Sequence, residues 1–373
     1  VNPPMNAEQF SNRNGLDNSN GRDLPDIDCI LIGVNSAKTL GRCIESIQKS
    51  NYPQERLHIC YVDGGSSDDS IREAERYPDV RVIALDPEHP TPGLGRNAGW
   101  KNSSSPLVQF LDSDTIVDPE WFRKAVADMT DSRTGCVIGF RRELHPERSI
   151  YNWIGDLEWN GPVGESDCFG GDVLIRRSAL AKTGGYDEIL VGGEDPELSR
   201  RIIRAGWKIR RIDAVMTRHD LAMTTVKQYL KRAYRSGYGF AAVRVREAQA
   251  GSSFWKADFR KIVIKSGGFI VSASLALLTL LSSRPSKASV LTSTAFFLCG
   301  IPLLFSPRLF KVGKFMRENA LNRKEAKTYA WHCSLVVLPQ FAGLIRYYAG
   351  VLLNHPLKNR RSSLKTGLSN HQA

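Results

Sequence analysis

Short apolar runs alternate with amphipathic stretches along the first third of the chain. Residues 28–34, Asp-Cys-Ile-Leu-Ile-Gly-Val, are almost continuously apolar after the first position, the pattern of a strand covered on both faces. Leu40, Cys43, Ile44 and Ile47 then recur at helical spacing, up to the break at Tyr52-Pro53. The alternation repeats. A strand is predicted over 57–62, a helix over 71–76 capped by Ser67, Asp68 or Asp69, a strand over 80–85, a helix over 94–102 and a strand over 107–111. Asp118-Pro119-Glu120 supplies an N-cap with Pro at the first position of a further helix. Strands alternating with helices predict an α/β fold: a mixed, mostly parallel sheet with helices on both faces, whose ligands bind beyond the carboxyl ends of the strands.

The alternation loosens after residue 135. An apolar run at 136–140 is followed by an aromatic stretch with Tyr151, Trp153 and Trp159, then by Phe169-Gly-Gly-Asp-Val-Leu-Ile175. A turn at 184–187 precedes a helix over 195–205 that ends at Gly206. Three longer apolar segments close the chain. Residues 262–281 and 288–305 are long enough to span a hydrocarbon core of about 30 Å and are joined tightly, which predicts a helical hairpin in a membrane. The third, 334–353, is interrupted by Pro339 and Arg346 and is expected to span, re-enter or lie in the interface.

Charge sharpens this division. The formal net charge of +12 is confined to the last third: residues 256–373 carry 18 Lys/Arg against Asp258, Glu318 and Glu325, while the remainder is slightly acidic. Basic excess beside long apolar runs points to an anionic membrane surface and excludes a nucleic-acid groove. Seven Lys/Arg in 306–333, against two in the hairpin turn, predict that this loop and the α/β half face the cytoplasm, at a cell (inner) membrane. The seven cysteines form no Cys-x-x-Cys pair, so structural zinc is excluded and a reducing compartment is expected. The first 25 residues are polar and rich in Asn, with no apolar core of a secretory leader. The expected organisation is a disordered segment over 1–25, a catalytic domain over 26–240, an amphipathic linker over 241–261, the hairpin over 262–305, a basic loop over 306–333, the third segment over 334–353 and a basic tail.

Three acidic sites lie where such a sheet would bind a ligand. Asp112-Ser113-Asp114 leaves the strand over 107–111, Asp63 ends the strand over 57–62, and Gly193-Glu194-Asp195 opens a helix. An alternating carboxylate pair at a strand end suits a hard divalent cation, Mg²⁺ or Mn²⁺, that clamps a diphosphate. A carboxylate at a helix start is held by exposed N–H groups, so three acidic sites at these ends point to one pocket.

Asp63-Gly-Gly-Ser-Ser-Asp, Arg96-Asn-Ala-Gly, Leu111-Asp-Ser-Asp-Thr and Gly193-Glu-Asp-Pro-Glu-Leu-Ser-Arg200 resemble, in order and spacing, the motifs of the family 2 glycosyltransferases. The apolar C-terminal segments resemble those of bacterial exopolysaccharide glucosyltransferases of the succinoglycan type. The resemblance implies a GT-A fold and inverting transfer of a sugar from a nucleoside diphosphate to a lipid-linked or saccharide acceptor. Polysaccharide-assembly proteins and membrane lipids are the implied partners. It implies that Asp63 hydrogen-bonds the base, Arg96 faces the phosphates or base, and Asp112 touches ribose or metal. It further implies that Asp114 and His219 join the metal and that Asp195 is the general base, with Glu194 as its competitor and Arg200 as a brace. Gln228-Tyr-Leu-Lys-Arg232 departs from the Gln-x-x-Arg-Trp signature of processive synthases, so addition of a single sugar is expected. The competing readings are a sugar-1-phosphate nucleotidyltransferase, for which Gly33-Val-Asn-Ser-Ala-Lys38 is too poor in Gly, and a non-catalytic sugar-binding or scaffold protein, for which the retained carboxylates argue against.

Overall fold

The computed structural model describes residues 24–159, 161–282 and 286–359. The segment expected to be disordered, the centre of the hairpin turn and most of the basic tail lie outside the described residues.

The α/β half opens with β1 (Ile27–Gly33), α1 (Leu40–Gln48), β2 (Leu57–Asp63), α2 (Ser70–Ala74), β3 (Val80–Ala84), α3 (Pro92–Lys101) and β4 (Leu107–Asp112). It continues through β5 (Thr115–Val117), α4 (Trp121–Asp128), β6 (Thr134–Glu143), α5 (Ile150–Glu158), β7 (Gly164–Glu165), β8 (Val173–Arg176), α6 (Arg177–Thr183), α7 (Glu194–Arg204) and β9 (Lys208–His219). One sheet joins these strands in the order β3-β2-β1-β4-β8-β6-β9-β5, with β7 on β9. It is parallel from β3 to β4 and mixed beyond, because β8 runs antiparallel to both β4 and β6.

The continuous apolar run of β1 has its explanation in two-sided burial. Ile27, Cys29 and Leu31 pack with Leu40, Cys43, Ile44 and Ile47 of α1 and with Trp121 and Phe122 of α4. Ile30 faces the other layer, with Trp100, Val108 and Phe110. Alternate residues of one strand thus feed two cores.

Register builds the site. The antiparallel pairing of Phe110 with Val173 sets Asp172 beside Asp112, whose backbone N–H it accepts at 3.2 Å. The pairing of Thr115 with His219 sets the imidazole beside Asp114. The short strand β5 was not expected from the sequence. It displaces the expected helix start: α4 begins at Trp121, and Asp118 accepts the Glu120 N–H instead of capping the helix.

Beyond the sheet lie α8 (Val226–Gln249), α9 (Lys256–Ile262), α10 (Gly268–Ser282), α11 (Lys287–Phe310), α12 (Val312–Glu318), α13 (Arg323–Leu335) and α14 (Val337–Leu352). The boundary expected at residue 240 falls inside α8, which runs unbroken for 24 residues from a capping box at Thr225 and Gln228. The basic loop expected over 306–333 is mostly helical, because Asn322 and Glu325 cap α13 and the apolar periodicity continues through Phe315 and Tyr329, which meet edge to face. Three helical stretches, Lys256–Ser282, Lys287–Glu318 and Arg323–Leu352, are long and apolar enough to cross a membrane.

The third of these is docked on the α/β half. α14 lies along α8 so closely that a methyl at Gly343 would sit 1.9 Å from the Tyr234 carbonyl oxygen, and one at Gly237 1.9 Å from that of Gln340. His332 of α13 bridges Glu158 of α5 (2.9 Å) and the Tyr229 hydroxyl of α8 (2.8 Å), under a stacked Tyr329.

Candidate active site

At the carboxyl end of β4, Asp112 is held by two guanidinium groups. Arg96 donates to it at 3.0 Å and Arg141 at 3.3 Å. Burial alone would raise the Asp112 pKa, but these two cations outweigh it and keep the carboxyl below its ordinary range. Gly171 leaves the necessary space, since a methyl there would lie 2.7 Å from Asp112 and 2.9 Å from Arg96.

Asp112, Asp114 and His219 each offer one ligand atom, all within 4.8 Å of one another. His219 Nε2 lies 3.0 Å from Asp114, and its Nδ1 is buried without a hydrogen-bond partner among the described residues. Two carboxylates and an imidazole fit a divalent cation such as Mg²⁺ or Mn²⁺. Nε2 is the ring nitrogen that faces Asp114. Trp159 packs edge-on against the His219 ring and under Arg141, which ties the aromatic stretch to this corner.

Arg96 is not a solvated helix residue: it is 2% exposed, and its two terminal nitrogens face Asp112, Glu194 (2.9 Å) and Asp195 (3.3 Å), while its Nε makes no hydrogen bond among the described residues. It therefore sets the spacing of the carboxylates. Glu194 is committed to Arg96 and buried, whereas Asp195 lines an open cleft of about 650 Å³. Its Oδ1 is buried, faces Arg96 at 3.3 Å and makes no hydrogen bond among the described residues. Burial raises its pKa to about 8; Arg96 opposes the shift, and the Glu194 and Asp112 carboxylates reinforce it. Of the two competing bases, Asp195 is the one presented to the cleft.

Asp63 is likewise turned inward. Its carboxylate accepts from the Tyr61 hydroxyl (2.9 Å), from Gly65 N–H (3.0 Å) and Ser66 N–H (2.8 Å), and from the Ser66 hydroxyl. At 1% exposure, with one donor from β2 and three from the loop that follows, it organises the turn after β2. The expected helix caps fall elsewhere: Asp68 accepts from Ser70 N–H, and Asp69, the residue before α2, makes no capping bond. Arg200 acts as the expected brace, paired with Asp167 (3.0 Å) and lying over Phe254.

Sequence reasoning missed Arg141, Asp172 and the face of α8. Asp172 is buried and holds Arg141 (2.8 Å) and the Thr217 hydroxyl (2.6 Å). The signal was present as an Asp between two glycines and an apolar strand. Gln228, Lys231, Arg232 and Arg235 fall on one side of α8 and line the Asp195 cleft with Trp255. Lys231 and Arg232 are exposed and have no ion-pair partner among the described residues.

The family description Glycosyl transferase family group 2 matches residues 107–344, and Glycosyl transferase family 2 matches residues 28–183. The chain is 25% identical over 218 residues to the probable glycosyltransferase YdaM of Bacillus subtilis, covering 53% of this chain and 51% of that one. It is 21% identical over 224 residues to the glycosyltransferase AglE of Haloferax volcanii, covering 58% and 73%. The chain thus spans about half the length of the Bacillus relative. Among solved structures, the mannosyltransferase PcManGT from Pyrobaculum calidifontis, in complex with GDP-Man and Mn²⁺, superposes with a TM-score of 0.55 at 15% identity, covering 88% of each chain. The sheet order, its strand-end carboxylates and these matches agree: the chain is a GT-A protein and belongs to the family 2 glycosyltransferases.

Proposed function

We propose that this glycosyltransferase is inverting and metal-dependent, and moves a hexosyl group from a nucleoside diphosphate to a lipid-linked or saccharide acceptor in cell-surface polysaccharide assembly. The observation that carries this reading is Asp195: a raised, cleft-facing carboxylate held by Arg96 beside the Asp112, Asp114 and His219 group.

Asp195 takes the proton of the acceptor hydroxyl as that oxygen forms its bond to the anomeric carbon. The bond from that carbon to the diphosphate oxygen breaks on the opposite face, so configuration inverts. Asp112, Asp114 and His219 would hold Mg²⁺ or Mn²⁺, which when bound neutralises charge on the diphosphate. Arg96 and Arg141 keep Asp112 ionised and Asp195 at its distance. Asp63 holds the glycine turn that borders the nucleoside side of the site. Lys231 and Arg232 supply cationic donors on the α8 wall, suited to an anionic reactant. PcManGT was solved with GDP-Man and Mn²⁺, which supports a nucleotide sugar and that metal here. The apolar hairpin supports an inner-membrane location with the catalytic half in the cytoplasm, and α14, docked on α8, supports an interfacial third segment.

A panel of nucleotide sugars with Mn²⁺ tests the reading. Asp114→Ala is expected to abolish metal-dependent UDP or GDP binding in calorimetry with the fold intact. Asp195→Asn should keep donor binding and lower turnover roughly 10²-fold or more. The wild-type kcat/KM should rise with pH through a limb near 8, where Asp195 loses its proton, and the Asn variant should lack that limb. The stability sign runs the other way. The folded pKa lies above the unfolded value of 3.8, so the folded state holds a proton that the unfolded state releases. This contribution to stability falls as pH rises from about 4 to about 8. Normal turnover in Asp195→Asn would remove it as the base.

A further inference from the structure

The chain after α14 turns back onto the α/β half. Asn354 adopts a left-handed conformation (φ 51°), and His355 N–H donates to the Gly350 carbonyl at 2.7 Å, which reverses the direction of the backbone. Leu357 N–H then donates to the Tyr238 hydroxyl at 3.1 Å. Asn359 ends the described segment between two separate elements. Its amide nitrogen donates to the Pro90 carbonyl (2.8 Å), its amide oxygen accepts from Arg235 of α8 (3.2 Å), and its carbonyl oxygen lies 3.1 Å from His89 Nδ1.

Asn359 forms part of the wall of a second pocket, of about 310 Å³. Gly33 and Val34 after β1, Val62 and Gly64 after β2, and Pro90 before α3 supply other walls. This pocket lies beyond the carboxyl ends of two adjacent parallel strands, the position at which open α/β sheets take ligands. Arg235 lines both this pocket and the Asp195 cleft, so the two are neighbours. The walls are apolar apart from backbone, Thr91, Arg235 and Asn359. A carboxamide has two N–H donors and two acceptor positions, and Asn359 uses one of each on the protein. One donor and one acceptor remain, a complement to the edge of a heterocyclic base or to a ribose hydroxyl.

We propose that Asn359, reaching from beyond the apolar helices into the pocket where the donor's nucleoside would sit, is a specificity-determining residue for that nucleoside. The inference rests on the nucleotide-sugar reading above. It makes the donor pocket complete only when α14 is docked on α8, because the turn at 354–359 is what delivers Asn359.

The test is calorimetry on the full chain in lipid nanodiscs with Mn²⁺, titrating UDP, GDP and inorganic diphosphate into the wild type, Asn359→Ala and Asn359→Asp. Asn359→Ala should weaken the preferred nucleotide about 3- to 10-fold, the scale of one hydrogen bond. Asn359→Asp should change the ratio of UDP to GDP affinity, and inorganic diphosphate should bind all three proteins equally. Unchanged nucleotide affinity in both variants would overturn the proposal. So would an equal loss for nucleotides and inorganic diphosphate, which would make Asn359 a structural prop. A wild type that binds inorganic diphosphate but neither nucleotide would instead sink the nucleotide-sugar reading itself.

Discussion

The α/β half and the α10–α11 hairpin are both rich in apolar residues and dispose them in opposite ways. In the sheet, Ile30, Leu31, Phe110 and Leu111 are fully covered, and what is exposed is mostly polar. In the hairpin, Val271, Leu277, Leu278, Leu281 and Leu291 point outward, each more than half exposed, while Ser272, Ala276, Ser293 and Gly300 lie within. Large apolar side chains outside and small or hydroxyl residues inside are what lipid demands, since hydrocarbon offers no drive to bury Leu and rewards close backbone approach. The halves also bury different polar groups. The sheet buries ions in a paired cluster around Arg96 and Asp112, whereas the hairpin buries hydroxyls on its own carbonyls. The difference is the one expected between a part that faces water and a part that faces hydrocarbon.

The largest expected effect is all-or-none. If the hairpin is the spanning part and the docked α13–α14 pair stays with the α/β half, its turn and the start of α13 lie on opposite sides. A cysteine at Ser286→Cys should react with an impermeant maleimide applied to intact cells, and one at Asn322→Cys should react only after permeabilisation. Both are placed in a cysteine-free background, because native Cys299 is exposed and Cys168 and Cys333 are half-buried. The reverse pattern would put the catalytic half outside and break the comparison at its root.

The next effect contrasts the two kinds of apolar residue. Phe110 is fully buried and meets Tyr186 edge to face at 5.3 Å, so Phe110→Ala should cost about 3–5 kcal/mol. Leu278, 58% exposed on the hairpin, should cost less than about 0.5 kcal/mol as Leu278→Ala in a bilayer. Denaturant unfolding in nanodiscs compares the two directly. Similar losses would mean that Leu278 is covered by protein, not lipid.

Much of this division was legible in the sequence, and the exceptions have common causes. The strands over β1, β2 and β4 were readable because each carries a continuous apolar run, and the membrane segments because each exceeds the length of a buried helix. The grouping of Asp112, Asp114 and His219 was expected only through the family resemblance, because nothing local to His219 ties it to the strand-end pair. The orientation of Asp63 and Arg96 was not readable. Both are polar residues in loops or on helices near a site, and only the donors and carboxylates that fold around them turn them inward. Arg141 and Asp172 come together through the antiparallel register of β8, which no local pattern encodes. The same holds for α8, whose cationic side with Lys231, Arg232 and Arg235 becomes a cleft wall only through the way the helix packs beside Asp195.

The smallest expected effect probes the hydroxyls inside the hairpin. Ser293 is buried and donates to the Ala276 carbonyl at 2.7 Å, from one helix of the hairpin to the other. In water-soluble proteins, leaving a buried partner unmatched would cost about 1–3 kcal/mol. Here the acceptor already takes an intrahelical N–H, and the polar group in an undocked hairpin would find another partner within the lipid. Interhelical hydrogen bonds in membranes accordingly average about 0.6 kcal/mol. Ser293→Ala keeps the small volume that lets the helices approach and removes only the hydroxyl, so its cost should sit near that value. Ser293→Leu should cost more through overpacking, typically about 1–3 kcal/mol. An Ala variant as costly as the Leu variant would mean that the hydroxyl, not the close approach, holds α10 to α11, and the hairpin would then be ordered by buried polar pairs, as the active-site cluster is.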